Sequence, residues 1–260
     1  MRPPESASVL GVRIDAVSCH GATTRVLAWA RARESRYVCF GVAASLMEAH
    51  DSPQYREVLA EAALVVPDGM PLVCMLKWQR IGAATRVYGP DVTRRVLEAA
   101  ANVQIPVGFL GGTPQALTRL VDWTRHRFPA IQVAFAVSPP FRAATAEEDA
   151  DLTRNINRSG VRILFVGLGG AKQDHWMHSH RGKVQCVMLG VGAAFDFLSG
   201  VKPQAPLWMQ STGLEWLFRL AIEPRRLWRR YLLQNPRFVA LAFAQIVSHL
   251  FSQLLGRRFA

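Results

Sequence analysis

The sequence predicts an α/β protein built around a parallel β-sheet. Apolar runs of strand length recur along the chain, each closed by glycine or a turn. Segments with helical spacing lie between them, which is the alternation expected of βα units. Hydrophobic residues make up 50% of the 260 residues, which allows one large core but not two full-sized catalytic domains.

The predicted elements follow one another up to residue 200. Thr113 and Pro114 make a good helix start, because threonine caps the first turn and proline fits its first position. The predicted helices are 91–103, 113–127 and 146–158. The predicted strands are 37–42, 63–66, 107–110, 132–137, 162–166 and 185–189.

After Gly200 the composition changes. Strand-like runs stop and Trp/Arg-rich helical sequence begins, so we expect a catalytic domain, 1–200, and a C-terminal basic helical appendage, 201–260. In the appendage nine basic residues stand against two acidic ones, within a net charge of +12 for the chain. Apolar residues alternate with the arginines, which favours an anionic membrane surface or a phosphate-bearing ligand over nucleic acid. We therefore expect no nucleic-acid partner.

Three helices are predicted in the appendage, at 214–222, at 225–234 and from Pro236 onward. In the last helix a polar stripe argues against a membrane-spanning segment and for a helix lying in the membrane interface. Packing on its own domain or on a second copy of the chain, as a homo-oligomer, is the alternative, and the flanking arginines favour the membrane. The stripe contains Gln245, Ser248, His249, Ser252 and Gln253, opposite Phe243, Ile246, Val247, Leu250, Phe251, Leu254 and Leu255.

Cysteine and histidine spacing indicates no metal site. The four cysteines are scattered without a CxxC pair or a preceding secretory signal, which is typical of a reducing cytoplasm and of neither a zinc site nor a disulfide framework. His175, His178 and His180 cannot all share one helical face, because they are three and then two residues apart. We expect no metal and no cofactor.

Three glycine-rich turns follow predicted strands, and they begin at Gly111, Gly167 and Gly190. At the carboxyl edge of a parallel sheet, bare backbone N–H groups suit a diphosphate, although glycine also simply permits tight βα turns. A dinucleotide oxidoreductase is disfavoured, because Lys172 occupies the third glycine position of the GxGxxG pattern and no acidic residue follows at the usual distance.

Two aspartates, Asp68 and Asp196, end apolar strand-like runs. An aspartate before glycine is usually a turn former or a helix cap. The pattern alone leaves Asp68 undecided between that structural role and catalysis.

Eight short motifs follow one another along the chain, and the resemblance that they carry covers about residues 11–238. They are VPDGMP at 66–71, RVYGPD at 86–91, FLGG at 109–112, SPPF at 138–141, VGLG at 166–169 followed by Lys172 and Gln173, GVGAAFDF at 190–197, GLEWLFRL at 213–220 and EPRR at 223–226. In these motifs the chain resembles the TagA/WecG/CpsF-type bacterial glycosyltransferases, family twenty-six.

The resemblance implies a Rossmann-like α/β fold and an inverting, metal-independent hexosyl transfer from a UDP-sugar to an acceptor on polyprenyl diphosphate. It implies that Asp68 is the catalytic base, which takes the proton of the attacking hydroxyl. Arg86, Gln173 and the glycine-turn N–H groups would then stabilise the leaving diphosphate. The C-terminal arginines would close over the site at the membrane. The expected substrate-binding residues are Arg86, Gly111, Gly112, Gly169, Lys172, Gln173, Gly192, Asp196, Arg219, Arg225, Arg226 and Arg229.

The chain departs from the family pattern near the expected donor site. Phe40 and Val42 occupy the positions of a family threonine and asparagine, so a hydroxyl and an amide are absent. Two hypotheses follow: the enzyme uses another sugar or acceptor, or it has lost activity and serves as a binding or assembly component of a polysaccharide complex. Retention of Asp68, Arg86 and Gln173 favours the enzyme.

The resemblance also implies a cellular setting. We expect a peripheral protein at the cytoplasmic face of the inner membrane, in exopolysaccharide or cell-wall polymer synthesis. The sequence at Met70-Pro71 and at 138–142 is similar to that of family members that act in exopolysaccharide synthesis.

Overall fold

The computed structural model describes residues 1–256, with side chains to residue 252. The strands are β1 Glu5–Val9, β2 Val12–Ala16, β3 Arg36–Gly41, β4 Leu64–Pro67, β5 Val107–Gly111, β6 Val133–Val137, β7 Ile163–Gly167 and β8 Val187–Gly190. The helices are α1 Cys19–Arg31, α2 Ala43–Asp51, α3 Pro53–Glu61, α4 Met70–Trp78, α5 Gly89–Asn102, α6 Pro114–Arg127, α7 Ala146–Arg158, α8 Gly170–His180, α9 Ala194–Leu198, α10 Leu207–Ser211, α11 Glu215–Ile222, α12 Pro224–Trp228 and α13 Asn235–Gly256. A π-helical segment, Arg229–Gln234, joins α12 to α13.

Strands β3 to β8 form one sheet in the order β4-β3-β8-β7-β5-β6, and every neighbouring pair is parallel. The predicted α/β class is confirmed. The six predicted strands and the three helices predicted before residue 200 are also confirmed, with ends shifted by one or two residues. Because the strands are parallel, their carboxyl ends share one edge of the sheet, where such folds bind ligands.

The sheet separates two apolar cores. Alternate residues of β3 point to opposite faces: Tyr37 and Cys39 pack with α2, α3, α4 and α8, whereas Val38 packs with α1, α5, α6 and α9. Burying an aliphatic or aromatic side chain of this size contributes about 1.5–3 kcal/mol. Helices therefore cover both faces, as a parallel sheet requires.

Strands β1 and β2 form an antiparallel hairpin that was not predicted from the sequence. It packs beside β4, the edge strand of the sheet. The Asp15 carboxylate accepts a hydrogen bond from the Val65 N–H (2.8 Å), which satisfies a backbone donor that has no strand partner on that side. The hairpin thereby covers an edge that would otherwise be exposed.

Helix α13 packs on the main domain with a face that takes residues from both predicted stripes, Gln245 from the polar one and Ile246 from the apolar one. Phe238 and Ala242 are buried in the core, and the Gln245 side chain accepts from Leu10 N–H and donates to Ser8 O of the hairpin, both at 2.9 Å. Phe243 is 66% exposed, but Ser248 and Ser252 are exposed as well, so the two predicted stripes do not separate an outer face from an inner one.

Part of the predicted pattern lies beyond these contacts. Leu254, Leu255 and Gln253 fall outside the side chains that the structure describes. Within residues 1–256, no helix has the length and apolar character needed to cross a membrane. The division into residues 1–200 and 201–260 stays a prediction. Helix α13, which belongs to the second part, shares the core of the main domain.

Gly111 is required by a close approach between β5 and β7. Its φ is +116°, and a Cβ there would lie 2.6 Å from the carbonyl carbon and oxygen of Gly167. We expect Gly111→Ala to destabilise the fold by about 3 kcal/mol or more, because backbone must shift and the conformation is strained. Gly182→Ala is the control, since Gly182 has φ +81° but open space around it. Equal losses of stability for both variants in urea unfolding would contradict this expectation.

Candidate active site

A cavity of about 450 Å³ lies at the carboxyl edge of the sheet, and the C-terminal segment covers it. The strand ends contribute Phe40, Asp68, Gly112, Gly167 and Gly190, and the appendage contributes Gln210, Glu215, Arg219, Arg226, Arg230 and Tyr231. Many of the predicted site residues meet here, namely Asp68, Arg86, Gly112, Gly169, Gln173, Gly192, Asp196, Arg219 and Arg226.

Asp68 directly follows β4. Its backbone N–H donates to Gly41 O at 2.9 Å, which fixes the end of β4 against β3. The side chain is 20% exposed, at the cavity wall. Burial raises the pKa of Asp68 to about 6, and the positive charge of Arg86 limits the increase. Asp68 is therefore ionised at neutral pH and basic enough to accept a proton there.

Arg86 lies between Asp68 and Glu215. Its Nη2 is 2.5 Å from Glu215 Oε2 and 3.6 Å from Asp68 Oδ1, and its Nε donates to the Asp68 carbonyl at 2.6 Å. The guanidinium also stacks on the Tyr88 ring, 4.1 Å from its centroid. Two carboxylates already neutralise this one cation, which holds Asp68 in place through its backbone carbonyl. Its role in binding a diphosphate stays a prediction.

Glu215 is the main cavity residue that was not predicted as part of the site. It is 9% exposed, and its carboxylate accepts from Arg86 and from Tyr88 OH, the latter at 3.2 Å. The available signal was its position, as one of two acidic residues in a strongly basic segment and inside the GLEW motif. Through Glu215 the appendage contacts the residue that positions Asp68.

Gln173 joins two glycine turns. Its amide N–H donates to Gly190 O at 2.7 Å, and its carbonyl accepts from Gly169 N–H at 3.4 Å. Next to it, the buried Asp174 accepts from Tyr55 OH at 2.7 Å. Burial raises the pKa of Asp174 to about 7. Both side chains shape the cavity floor, and Tyr55 and Asp174 were not predicted as site residues.

The raised pKa of Asp174 makes the stability of the fold depend on pH. The pKa of Asp174 in the folded protein, about 7, exceeds the reference value of 3.8. The stabilisation of the fold by protonated Asp174 is therefore complete below pH 3.8 and is lost as the pH rises through 7. We expect Asp174→Asn to remove about 2 kcal/mol of the stability difference between pH 5 and pH 8. Urea unfolding at both pH values measures it, with the exposed Asp122→Asn as control. An unchanged pH dependence in Asp174→Asn would refute the expectation.

Phe40 and Val42 line the cavity beside Asp68. At the start of α2, Ser45 Oγ accepts a hydrogen bond from Val42 N–H at 2.9 Å and so helps to cap the helix. Ala43 and Ala44 continue this wall. The part of the cavity where the resemblance expects a threonine and an asparagine is therefore apolar.

A second charge network includes the cavity-lining residues Asp196, Lys202 and Arg226. Lys202 Nζ is 2.6 Å from Asp196 and 3.1 Å from Glu223, and Glu223 also pairs with Arg226. These charges are neutralised within the protein. Arg219, in contrast, lies over the Phe197 ring at 5.6 Å, and no carboxylate in the described part of the chain is within ion-pair distance of it. Its charge acts on Asp68 from farther away and lowers the pKa of that carboxyl group.

Several predicted residues do not line the cavity. Lys172, Arg225 and Arg229 are exposed outside it, and Gly111 lies beneath it in β5, so their binding roles stay predictions. The three histidines have separate surroundings: His175 packs on Tyr55, His178 is 3.2 Å from Glu61, and His180 stacks on Trp176. No group of three or more potential metal ligands occurs among the described residues.

Comparison with known proteins identifies the family of the chain. The model of the glycosyl transferase WecG/TagA/CpsF family matches residues 7–251. An N-acetylglucosaminyldiphosphoundecaprenol N-acetyl-beta-D-mannosaminyltransferase of Bacillus spizizenii strain W23 is 29% identical over 193 residues, which cover 74% of this chain and 72% of the relative. The protein of the same name from Bacillus subtilis strain 168 is 27% identical over 185 residues, or 71% and 70% of the two chains.

The family match extends through both the sheet and the appendage that covers the cavity. It thus includes Asp68, Arg86 and Glu215, the three residues of the ion network. The chain belongs to the WecG/TagA/CpsF family of glycosyltransferases.

Proposed function

We propose that this protein transfers a hexose-type sugar from a UDP-sugar, with inversion and without a metal ion, to an acceptor carried on polyprenyl diphosphate. The observation that carries the proposal is Asp68, a carboxylate with a pKa of about 6 at the wall of a cavity and positioned by Arg86. The acceptor class is supported by the names of the two Bacillus relatives, which specify N-acetylglucosaminyldiphosphoundecaprenol.

The reaction requires one proton acceptor and a counter-charge for the leaving group. Asp68 accepts the proton of the acceptor hydroxyl as that oxygen bonds to C1 of the sugar and the bond from C1 to the diphosphate oxygen breaks. Negative charge then develops on the departing UDP. Arg219, which has no carboxylate partner within the described residues, and the backbone N–H groups of the glycine turns are placed to stabilise it.

The donor sugar is expected to differ from that of relatives with threonine and asparagine at positions 40 and 42. An apolar wall of Phe40, Val42 and Ala43 offers no hydrogen bond to a sugar hydroxyl or amide. A polar group placed against it would lose its water without compensation. We propose that the sugar presents its less polar face to this wall.

The test is transfer from a panel of UDP-sugars to short-chain polyprenyl-diphosphate N-acetylglucosamine, with and without EDTA. We expect transfer for one donor by the wild type, unchanged by EDTA, and transfer that is slower by about 10²–10⁴-fold for Asp68→Asn. Background incorporation for every donor would sink the enzyme proposal and leave the binding or assembly role. A rate abolished by EDTA and restored by Mg²⁺ would remove metal independence alone.

We propose further that the appendage attaches the protein to the cytoplasmic face of the inner membrane. Exposed apolar side chains cover its outer surface, together with the exposed cations Arg225 and Arg229. Such a combination favours an anionic lipid surface, with about 1 kcal/mol per nearby arginine. The apolar residues include Leu207, Trp208, Leu217, Ile222, Trp228, Leu232, Phe243 and Phe251.

Point variants test attachment better than deletion of α13, because deletion would remove Phe238 and Ala242 from the core. We expect Trp208→Ser combined with Phe243→Ser to weaken cosedimentation with phosphatidylglycerol vesicles about tenfold. Val103→Ser, at an exposed apolar residue of the main domain, is the control. If the double variant pellets like the wild type and instead loses self-association in sedimentation velocity, the apolar surface is a contact between copies of the chain.

A further inference from the structure

The charges around the cavity divide into paired and unpaired cations. Arg86, Lys202 and Arg226 each lie within ion-pair distance of a carboxylate. Arg219 and Arg230 have no such partner among the described residues. Two half-buried guanidinium groups therefore line the cavity without an ion pair to any carboxylate of residues 1–252, although the charge of Arg219 still acts on Asp68 from farther away.

Arg230 was not among the residues expected to bind substrate. It lies in the π-helical segment Arg229–Gln234, which packs against α2. A π-helical turn changes the direction of the side chains that follow it, and such turns occur often at functional sites. Here the neighbouring Arg229 is exposed against Trp228, whereas Arg230 and Tyr231 line the cavity.

The electrostatic surroundings of Arg230 disfavour its own charge. Burial lowers the pKa of Arg230, and the nearby cations Arg219 and Arg226 act in the same direction. A cation with this little water and no counterion costs folding free energy unless a ligand supplies the opposite charge. Retaining it at the cavity wall is therefore explained by an anionic ligand.

We propose that Arg230 binds a diphosphate group of a substrate, together with Arg219. Guanidinium groups match phosphate oxygens in geometry and charge, and two of them suit the two phosphates of a pyrophosphate ester. The inference rests on the proposed function, in which both the donor and the lipid-linked acceptor carry a diphosphate. Arg86 and Arg226, whose charges are paired within the protein, are not required for this contact.

Calorimetric titration of the full chain tests the assignment with three probes: inorganic pyrophosphate, UDP and a short-chain polyprenyl diphosphate. We expect Arg230→Ala to weaken at least one of them by about tenfold to hundredfold, and Arg230→Lys to recover part of the loss. Loss confined to UDP assigns Arg230 to the donor, and loss confined to the prenyl probe assigns it to the acceptor. Arg158→Ala, an exposed arginine on α7, is the control.

Thermal unfolding of the same variants separates binding from a structural role. Because Arg230 has no partner within the described residues, Arg230→Ala should keep or raise the melting temperature while it weakens binding. Unchanged affinity for all three probes, or weaker binding that merely follows a lower melting temperature, would overturn the inference. Failure of the proposed function has a different result, in which diphosphates bind through Arg230 but no sugar is transferred.

Discussion

Replacing Asp68 with asparagine is expected to lower kcat by about 10²–10⁴-fold with little change in the donor KM. Asparagine keeps the size and the polar contact with Arg86 but cannot accept a proton. Radiolabelled transfer under donor saturation measures the effect, and Asp122→Asn, at an exposed carboxylate of α6, serves as the control. A kcat within threefold of the wild type would exclude Asp68 as the base.

The pH dependence of the wild type provides an independent test of the same role. Asp68 must be ionised to act, and its pKa is about 6, so kcat should be level above pH 7 and fall about tenfold per unit below pH 6. Residual activity of Asp68→Asn should lack this acidic limb. If the limb persists in the variant, another group controls the profile, and Asp174, with a pKa of about 7, is then the first candidate.

The strands of the sheet were predictable because each is a short, almost wholly apolar run. β5 and β7 are buried along nearly their whole length, and burial on both faces leaves that signal in the sequence. The β1–β2 hairpin has one exposed strand, Glu5–Val9, with polar residues and no continuous apolar run. Its packing on the domain involves hydrogen bonds of Asp15 with Val65 and of Gln245 with Leu10 and Ser8, which span 50 and more than 230 residues of sequence and leave no local pattern.

The position of the site was predictable, but its charge balance was not. Glycine turns and Asp68 at strand ends indicate a crevice at the carboxyl edge. Pairing between cations and carboxylates depends on how the appendage folds over that edge. Arg86 and Arg219 each lie in a family motif, and the sequence does not distinguish them. In the structure Glu215 forms an ion pair with Arg86, whereas Arg219 lies over the Phe197 ring.

Replacing Arg86 with methionine is expected to disturb the base itself more than the binding of substrate. In the wild type the Arg86 cation lowers the pKa of Asp68, whereas the Glu215 carboxylate raises it. Without the arginine, the two carboxylates face each other and the pKa of Asp68 increases further. At pH 7 kcat should therefore fall by about tenfold or more and recover partly at pH 9.

Two further measurements on Arg86→Met test this explanation, namely its stability and the effect of a second substitution. Removing the cation leaves Glu215 and Asp68 partly buried and unpaired, so we expect a loss of about 2–4 kcal/mol in urea unfolding. Adding Glu215→Gln to Arg86→Met should restore part of both the stability and the activity at pH 7, because one of the two facing negative charges is gone. The alternative is that Arg86 mainly binds the diphosphate. In that case Arg86→Met would raise the donor KM, leave the acidic limb near pH 6, and gain nothing from the second substitution.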